Sequence, residues 1–228
     1  YEIEDVIFCH FDKAMMNMDW EAFVEDYLVR ELHACHLVCG HDYHFGARGF
    51  GNAERLTEKC RALGLGCDVI GEVKLDGVTV SSTYLRRLLK EGRMEEAVRF
   101  LGHGHIISGI VQHGDSRGHT LGLPTANLAL DASLLVPAFG VYGGWADAGE
   151  LGRFPAAVNL GVHPTVHELP RPVAEASLLG FDGDLYGRFL RLELLFQVRP
   201  EQRFSSLPEL TAQIARDQQT VLYRLTGV

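Results

Sequence analysis

The stretch Gly114-Asp-Ser-Arg-Gly-His-Thr-Leu-Gly-Leu-Pro-Thr-Ala-Asn127 is the most informative part of this chain. Its three glycines allow a loop to bend and to approach a ligand closely, because glycine has no Cβ. Thr125 and Asn127 lie two residues apart, so in an extended segment their side chains point to the same side. Backbone amides and neutral oxygen ligands of this kind suit phosphates and the magnesium that phosphates carry. A glycine-rich hairpin followed by an ordinary strand fits the same residues.

The composition limits the classes of protein to which the chain can belong. Its 228 residues suffice for one large domain or two of ordinary size, and with 46% hydrophobic residues it can bury real cores. A net charge of −9 without a basic stripe argues against a nucleic acid partner. No apolar run approaches the roughly 20 residues of a membrane helix. Five cysteines, an odd number, all precede residue 68, which argues against a disulfide framework and favours a cytoplasmic location.

Residues 1–104 alternate strands and helices, and this alternation predicts an α/β domain with a parallel sheet. Val6–Phe8 is predicted to form a short buried strand, and further strands are predicted at His36–Cys39 and Cys67–Ile70. Asp19 and Asn52 are placed to cap two helices, and Gly64 or Gly66 is placed to end the second one. Two shorter helices are predicted to follow, over Tyr84–Glu91 and Met94–Leu101.

Residues 105–228 have a different pattern, with short strands separated by Gly, Pro and Asp turns, and this predicts an antiparallel barrel. The predicted strands are Ile106–Gln112, Gly140–Ala146, Ala156–Leu160, Ala174–Leu179 and Phe189–Val198. Ser206-Leu-Pro-Glu209 has the spacing of a capping box with proline in the first turn, so a helix closes the chain. The residues of that helix expected to face the barrel are Leu210, Ile214, Val221 and Leu225. We place the domain boundary near Gly104.

The glycine-rich stretch resembles the riboflavin kinase signature, a glycine loop that ends in Pro-Thr-Ala-Asn. Four later segments resemble the same family in order and in approximate spacing: Gly140–Tyr142, Asn159–Thr165, Asp184–Gly187 and Arg199–Phe204. Three earlier segments resemble the adenylyltransferase half of bacterial bifunctional riboflavin kinase/FAD synthetases: Phe11-Asp12, Gly40–Gly46 and Val80–Arg86. The resemblance implies a Rossmann-like nucleotidyltransferase sheet over residues 1–104 and a six-stranded antiparallel riboflavin-kinase barrel with a C-terminal helix over 105–228.

The resemblance also implies an activity, which is transfer of the γ-phosphate of ATP to the 5′-hydroxyl of riboflavin to give FMN. In this family the base is a strand glutamate eleven residues before the tyrosine of the Asp-Leu-Tyr-Gly motif, and Glu175 holds that position relative to Tyr186. Thr125 and Asn127 are then the ligands of Mg²⁺, with the ATP phosphates supplying most of the charge that holds the metal. A solvated strand carboxylate is the alternative interpretation of Glu175.

The remaining kinase residues are implied by the same resemblance. The expected nucleotide-binding residues, besides Thr125 and Asn127, are Gly114, Arg117, Gly118, His119, Gly122 and Tyr186. The chain has Glu175-Ala-Ser177 where many members have Glu-x-His, and Gly118-His119 where many have Gly-Arg. Both departures are expected to weaken the field at the phosphates, since histidine is mostly neutral near pH 7 whereas arginine is always charged. Neither removes the proposed base or the proposed metal ligands. Arg117 either compensates or is a solvated loop charge. Arg199 and Glu201 lie at positions where the family shapes its flavin pocket. The alternative interpretation is an exposed pair of charges in a turn.

In the first half, Ser81, Ser82 and Thr83 at a helix start, followed by Arg86, suit a nucleotide phosphate, as in the family's Ser-Ser-Thr-x-x-Arg motif. A plain N-cap with a surface arginine is the alternative. By resemblance, Asp42 and Phe45 belong to the same adenylyltransferase site.

The family's adenylyltransferase begins with a strand and a Gly-x-Phe-Asp-Gly-x-His-x-Gly-His loop that holds ATP, and this sequence contains no such loop. We therefore expect this half to be incomplete at its N-terminus and leave FMN adenylyltransferase activity open. A parallel sheet without its first unit exposes an edge, so we expect residues 1–104 to be held in part by a neighbouring molecule or by the kinase half.

Two alternatives accompany this interpretation. Histidines and cysteines crowd residues 33–44, but Cys-x-x-Cys spacing is absent, and His36 and Cys39, three apart on a strand, face opposite ways, which argues against zinc. The alternative function is a non-catalytic flavin-binding or regulatory protein that keeps the barrel. Glu175, Thr125 and Asn127 argue against it, because flavin binding alone needs no base and no metal pair.

Overall fold

The computed structural model describes residues 3–112, 125–131, 133–163 and 171–227. The chain divides into two compact units, Tyr1–Thr79 and Val80–Val228, and each is described by itself below. The predicted domain boundary near Gly104 follows the change in sequence pattern, whereas the two helices before Gly104 pack with the second unit. The domain boundary itself stays a prediction.

The first unit consists of short helices and strands around a small core. Its helices are α1 (Lys13–Met16), α2 (Trp20–Ala22, continued by π-helical turns over Phe23–Glu31), a 3₁₀ turn (Ala47–Gly49) and α3 (Ala53–Leu63). Its strands are β1 (His36–Gly40), β2 (His44–Phe45), β3 (Gly51–Asn52), β4 (Gly66–Ile70), β5 (Lys74–Leu75) and β6 (Val78–Thr79). β1 and β4 pair in parallel, as the alternation of strands and helices predicted. All five cysteines of the chain lie in this unit as free thiols.

The helix ends of the first unit follow the predicted local chemistry. The Asp19 carboxylate accepts hydrogen bonds from the amides of Glu21 and Ala22, and the Asn52 side chain accepts one from the Arg55 amide at 2.9 Å. α3 ends at Gly64, whose φ of 70° is in the left-handed region that glycine adopts without strain. The predicted caps are therefore confirmed.

The prediction of a buried strand at Val6–Phe8 is wrong. In the described part of the chain these residues form no strand, and Val6, Ile7 and Phe8 are 67%, 62% and 93% exposed. Among the described residues of this unit, the parallel sheet consists of β1 and β4. A strand needs a hydrogen-bonded neighbour, and an apolar run alone does not provide one.

The second unit begins with α4 (Ser82–Lys90) and α5 (Met94–Leu101). The Ser81 hydroxyl caps α4 by accepting from the Tyr84 amide at 3.2 Å, and α5 ends at Gly102 in the left-handed conformation. Their apolar faces, Leu88, Leu89, Met94 and Ala97, join the barrel core. The two helices are therefore packed against the barrel by hydrophobic burial.

The rest of the second unit is a closed six-stranded barrel. Its strands are β7 (His105–Gln112), β8 (Ala126–Ala129), β9 (Gly140–Asp147), β10 (Arg153–His163), β11 (Arg171–Leu178) and β12 (Phe189–Pro200), and they pair in the order β10-β11-β8-β7-β12-β9. All the pairs are antiparallel, as predicted. Leu190, Leu192 and Leu194 alternate with polar residues and are fully buried inside the barrel. β9 and β12 approach so closely that a Cβ on Gly144 would lie 1.9 Å from the Glu193 carbonyl oxygen.

The C-terminal helix α6 (Leu207–Thr226) packs on the outside of the barrel. The Ser206 hydroxyl accepts from the Glu209 amide, as the capping-box spacing predicted, but the Glu209 carboxylate reaches back to the Ser205 amide instead of that of Ser206. Val221 is fully buried against Ala157 and Phe196. Within the described ranges, neither α6 nor any other helix is both long and apolar enough to cross a bilayer.

Candidate active site on the barrel wall

Three polar side chains form a row across neighbouring strands on the outer surface of the barrel. Asn127 on β8 is opposite Glu175 on β11, and Glu175 is opposite Asn159 on β10. The residues that flank Glu175, Ala174 and Ala176, are fully buried, so alternation along β11 turns Glu175 outward. Side chains directly opposite one another in an antiparallel pair have Cβ atoms about 5 Å apart. The register therefore brings the predicted base next to a predicted metal ligand.

Hydrogen bonds orient the side chains of this row. The Asn159 Nδ2 group donates to Oε2 of Glu175 at 3.4 Å. The Asn127 Nδ2 group donates to the Thr125 carbonyl oxygen at 3.3 Å, which turns Oδ1 of Asn127 away from that carbonyl. Thr125, Asn127 and Glu175 are all half-buried. The row thus combines a carboxylate, which can accept a proton, with neutral oxygens of the type that Mg²⁺ binds.

The turn that carries Tyr186 is fixed to the end of β7. The Asp184 carboxylate accepts from the Tyr186 amide at 2.8 Å, and the Gly187 amide donates to the Val111 carbonyl oxygen at 3.0 Å. Val111 is opposite Leu128 on β8, one residue beyond Asn127, and Tyr186 is 44% exposed. The turn therefore lies on the strand beside the one that carries Asn127. The predicted loop residues Gly114, Arg117, Gly118, His119 and Gly122 lie outside the described residues.

The two predicted flavin-pocket residues have different surroundings. The Arg199 Nε group donates to Oδ2 of Asp217 on α6 at 2.9 Å, and its guanidinium lies 5.4 Å from the centre of the Phe204 ring. The side chains of Arg199 and Asp217 are only 17% and 5% exposed, so this ion pair ties the end of β12 to α6. Glu201 is exposed, and its Oε1 lies 3.6 Å from the position that a Cβ on Gly161 would take. The flavin role of both residues stays a prediction.

The residues assigned to the adenylyltransferase lie in both units. Ser82, Thr83 and Arg86 are exposed on α4, and an open surface depression of about 390 Å³ beside them is lined by Thr83, Arg86, Arg87, Lys90 and Glu91. Ser81 is engaged as the cap of α4. These positions leave the predicted phosphate role of α4 untested.

In the first unit, Asp42 is exposed in the turn between β1 and β2. Phe45 is buried, with its ring stacked on Tyr43 and tilted against Phe23. Its position makes Phe45 part of the core of that unit. In the described residues, no group of three or more His, Cys, Asp or Glu side chains is arranged to hold a metal. His36 instead pairs with Asp68 at 2.9 Å across β1 and β4.

Asn159 is the one residue of the row to which the sequence analysis assigned no role. It was the first residue of the segment Asn159–Thr165, which was recognised only as a stretch of family resemblance. The signal that identifies it is the strand register, because β10 is the neighbour of β11 on the side opposite β8.

Comparison with known proteins assigns both halves of the chain to families. A model of the riboflavin kinase family matches residues 101–225, and a model of the FAD synthetase family matches residues 1–84. The bifunctional riboflavin kinase/FMN adenylyltransferase of Bacillus subtilis (strain 168) is 33% identical over 215 residues, which are 93% of this chain and 67% of that protein. The protein of the same name from Escherichia coli (strain K12) is 37% identical over 219 residues, which are 95% of this chain and 69% of that protein.

A similar solved structure is that of the macrolide-efflux protein from Streptococcus pneumoniae. It is 27% identical, with a TM-score of 0.80, and the match covers 92% of this chain and 67% of that one. The match extends over almost all of both units of the present chain.

Proposed function

The chain belongs to the family of bifunctional riboflavin kinase/FMN adenylyltransferases and is a riboflavin kinase, and we propose that it phosphorylates riboflavin at the Asn127–Glu175–Asn159 row. The observation that supports this site is the register of β8, β11 and β10, which sets Glu175 between two amide side chains. The substrates are riboflavin and ATP, and the product is FMN.

In this mechanism Glu175 accepts the proton of the ribityl 5′-hydroxyl as its oxygen attacks the γ-phosphorus of ATP. The bond between oxygen and the γ-phosphorus forms, the bond from the γ-phosphorus to the β-γ bridging oxygen breaks, and ADP leaves. General base catalysis of this kind contributes typically ~10²–10⁴ in rate. The barrel wall holds Glu175 at a fixed strand position, which suits a base that must meet one particular hydroxyl.

Thr125 and Asn127 would hold Mg²⁺ in this proposal. Magnesium prefers oxygen ligands and keeps waters and substrate phosphates in its coordination sphere, so two neutral protein oxygens fit it. When bound with ATP, the ion would neutralise charge that develops on the phosphates. The side chain of Asn127 turns its Oδ1 away from the Thr125 carbonyl and is half-buried on the same wall as Glu175.

The other residues surround this centre. We propose that Gly114, Arg117, Gly118, His119, Gly122 and Tyr186 bind the nucleotide, and that Glu201 contacts the flavin. Arg199 serves the flavin pocket by fixing the end of β12 to Asp217, which positions the following Glu201. We further propose a cytoplasmic location.

The adenylyltransferase residues form a separate proposal. Ser81, Ser82, Thr83 and Arg86 would contact nucleotide phosphate at the start of α4, and Asp42 would belong to the same function. Phe45 would support it from the core of the first unit, where its ring packs. The kinase proposal does not depend on these residues.

The metal role of Asn127 provides the test of this site. Asn127→Ala should raise the Mg²⁺ concentration that gives half-maximal FMN formation by ~10-fold or more, the loss known for residues that merely support a metal ligand. High Mg²⁺ should then restore much of the rate. Asn17→Ala, the same change at an exposed position of the first unit, is the matched control and should behave as the wild type. Loss of activity that no Mg²⁺ concentration relieves would contradict the ligand role.

A further inference from the structure

Asn159 lies on the barrel wall beside Glu175. It is opposite Glu175 on one side and opposite Val141 on the other, so β10 is held in register by two neighbouring strands. The residues on either side of it, Val158 and Leu160, are almost fully buried in the barrel core. The backbone at Asn159 is therefore fixed, and its exposed side chain starts from a defined position beside the Glu175 carboxylate.

The contact between the two side chains is a hydrogen bond to a charged acceptor. Nδ2 of Asn159 donates to Oε2 of Glu175 at 3.4 Å, slightly longer than the ~2.7–3.2 Å usual for N–H···O bonds, so the hydrogen bond is a weak one. An amide donor orients a carboxylate without adding charge, whereas a lysine or arginine at the same place would stabilise the ionised form more strongly. A base that is held too firmly in its ionised form takes up a proton poorly. The contact can therefore orient the Glu175 carboxylate without placing a further charge beside it.

We propose that Asn159 is a positioning residue for the kinase reaction, which orients the Glu175 carboxylate toward the ribityl 5′-hydroxyl of riboflavin. The inference rests on the proposed role of Glu175 as the base. Asn159 acts through Glu175: the proton passes from the 5′-hydroxyl to the Glu175 carboxylate, and the amide holds the carboxylate plane throughout. A misplacement of about 1 Å at a reacting group costs as much as 10²-fold in rate, so loss of this donor affects turnover more than binding.

The test compares Asn159→Ala and Asn159→Asp with the control Gln219→Ala, which removes an exposed amide on α6. For Asn159→Ala we expect kcat for FMN formation to fall ~10- to 100-fold with little change in riboflavin affinity or Tm. Asn159→Asp places a second carboxylate beside Glu175, which disfavours ionisation of both, so the acidic limb of the pH–rate profile should move to higher pH. Gln219→Ala should match the wild type in every measurement.

A double-mutant cycle separates a positioning role from a general structural one. If Asn159 acts through Glu175, then adding Asn159→Ala to Glu175→Gln should cause no further loss of kcat. Independent losses that multiply in the double variant would contradict the inference. If Asn159→Ala does not fold, the pH–rate shift of Asn159→Asp decides the question in its place.

The outcomes also separate this inference from the proposed function. If Glu175→Gln is inactive while Asn159→Ala keeps the wild-type kcat and Asn159→Asp keeps the wild-type acidic limb, the base is correct and the positioning role of Asn159 is wrong. If Glu175→Gln keeps the wild-type rate, the proposed base is wrong, and the role of Asn159 is wrong with it.

Discussion

The barrel and the first unit differ in whether the edges of their sheets are paired. In the barrel, six strands close on themselves, and its core includes the fully buried Leu160, Leu190 and Leu192. In the described part of the first unit, the parallel sheet has two strands and the hydrophobic core beside it is smaller. Val38 and Ile70 on these strands are 63% and 52% exposed. Closure removes strand edges and buries one face of every strand, whereas an open pair of strands leaves both an edge and apolar surface in water.

This difference determines which candidate residues have fixed geometry. Asn127, Glu175 and Asn159 lie on strands that are hydrogen-bonded on both sides. Asp42 lies in a turn between short strands of the first unit. Sites on regular elements are held more precisely than sites on loops. We therefore expect phosphoryl transfer to depend on the barrel residues and not on exposed groups of the first unit.

The largest expected effect contrasts one carboxylate in each unit. Glu175→Gln keeps the shape of the side chain but cannot accept a proton, so FMN formation should slow by ~10²–10⁴-fold. Asp68→Asn makes the same chemical change at an exposed strand position of the first unit and should leave the rate unchanged. Initial rates of FMN formation under saturating ATP measure both. Equal effects of the two changes would contradict the assignment of the kinase reaction to the barrel.

The next largest effect compares the two hydrophobic cores. Leu192 in the barrel is fully buried and Leu56 in the first unit is 2% exposed. Leucine-to-alanine changes in a core cost ~2–5 kcal/mol, with the smaller losses where the surroundings collapse into the cavity. We expect Leu192→Ala to lie near the top of that range and Leu56→Ala near the bottom. Hydrogen exchange of the amides around each residue measures the loss, and a larger loss for Leu56→Ala would contradict the comparison.

A smaller effect tests the close approach of strands that barrel closure requires. Gly144→Ala brings a Cβ to 1.9 Å from the Glu193 carbonyl oxygen, so β9 or β12 must shift. Such overpacking costs typically ~1–3 kcal/mol. At Gly109 on β7 the nearest atom to an added Cβ is 3.5 Å away, so Gly109→Ala should change stability by less than ~1 kcal/mol. Denaturant unfolding compares them, and equal midpoints would show that the approach at Gly144 is not needed.

The smallest expected effect is a difference in the rates at which thiols are chemically labelled. Because all five cysteines lie in the first unit, labelling probes that unit alone. Burial, and after it the neighbouring Cys67, raises the pKa of the Cys60 thiol to about 11, and burial raises the pKa of Cys39. At pH 8 both remain protonated and unreactive, whereas Cys9 and Cys35 are exposed. We expect iodoacetamide to modify Cys9 and Cys35 first, as mass spectrometry of peptides can show. Modification of Cys60 at the rate of Cys35 would mean that this core opens readily.

The fold could be predicted where local chemistry decides it. The caps at Asp19, Asn52 and Ser206 depend on hydrogen bonds to amides two or three residues along the chain, so the sequence contains the information. The strand expected at Val6–Phe8 does not form, because pairing depends on a partner that a local pattern does not show. β8 (Ala126–Ala129) was recognised only as an extended segment, since four residues carry little alternation.

The sequence predicts those features of the site that depend on spacing along the chain, but not those that depend on which strands are neighbours. The spacing of Glu175 to Tyr186 is linear and was sufficient to propose a base. That Asn159 stands beside Glu175 follows from strand order, which no spacing gives. Similarly, Arg199 was assigned to the flavin pocket by its place in a motif, and its ion pair with Asp217 emerges only when α6 packs on the barrel.

The most direct test of the central claim, that the barrel is a riboflavin kinase with Glu175 as its base, is a chromatographic assay. The protein and its Glu175→Gln variant are incubated with riboflavin, ATP and Mg²⁺, and riboflavin, FMN and FAD are separated. We predict FMN from the wild type and, at matched times, at least ~10²-fold less from Glu175→Gln. Riboflavin that is bound but not converted by the folded wild type would contradict the claim and favour a non-catalytic flavin-binding protein.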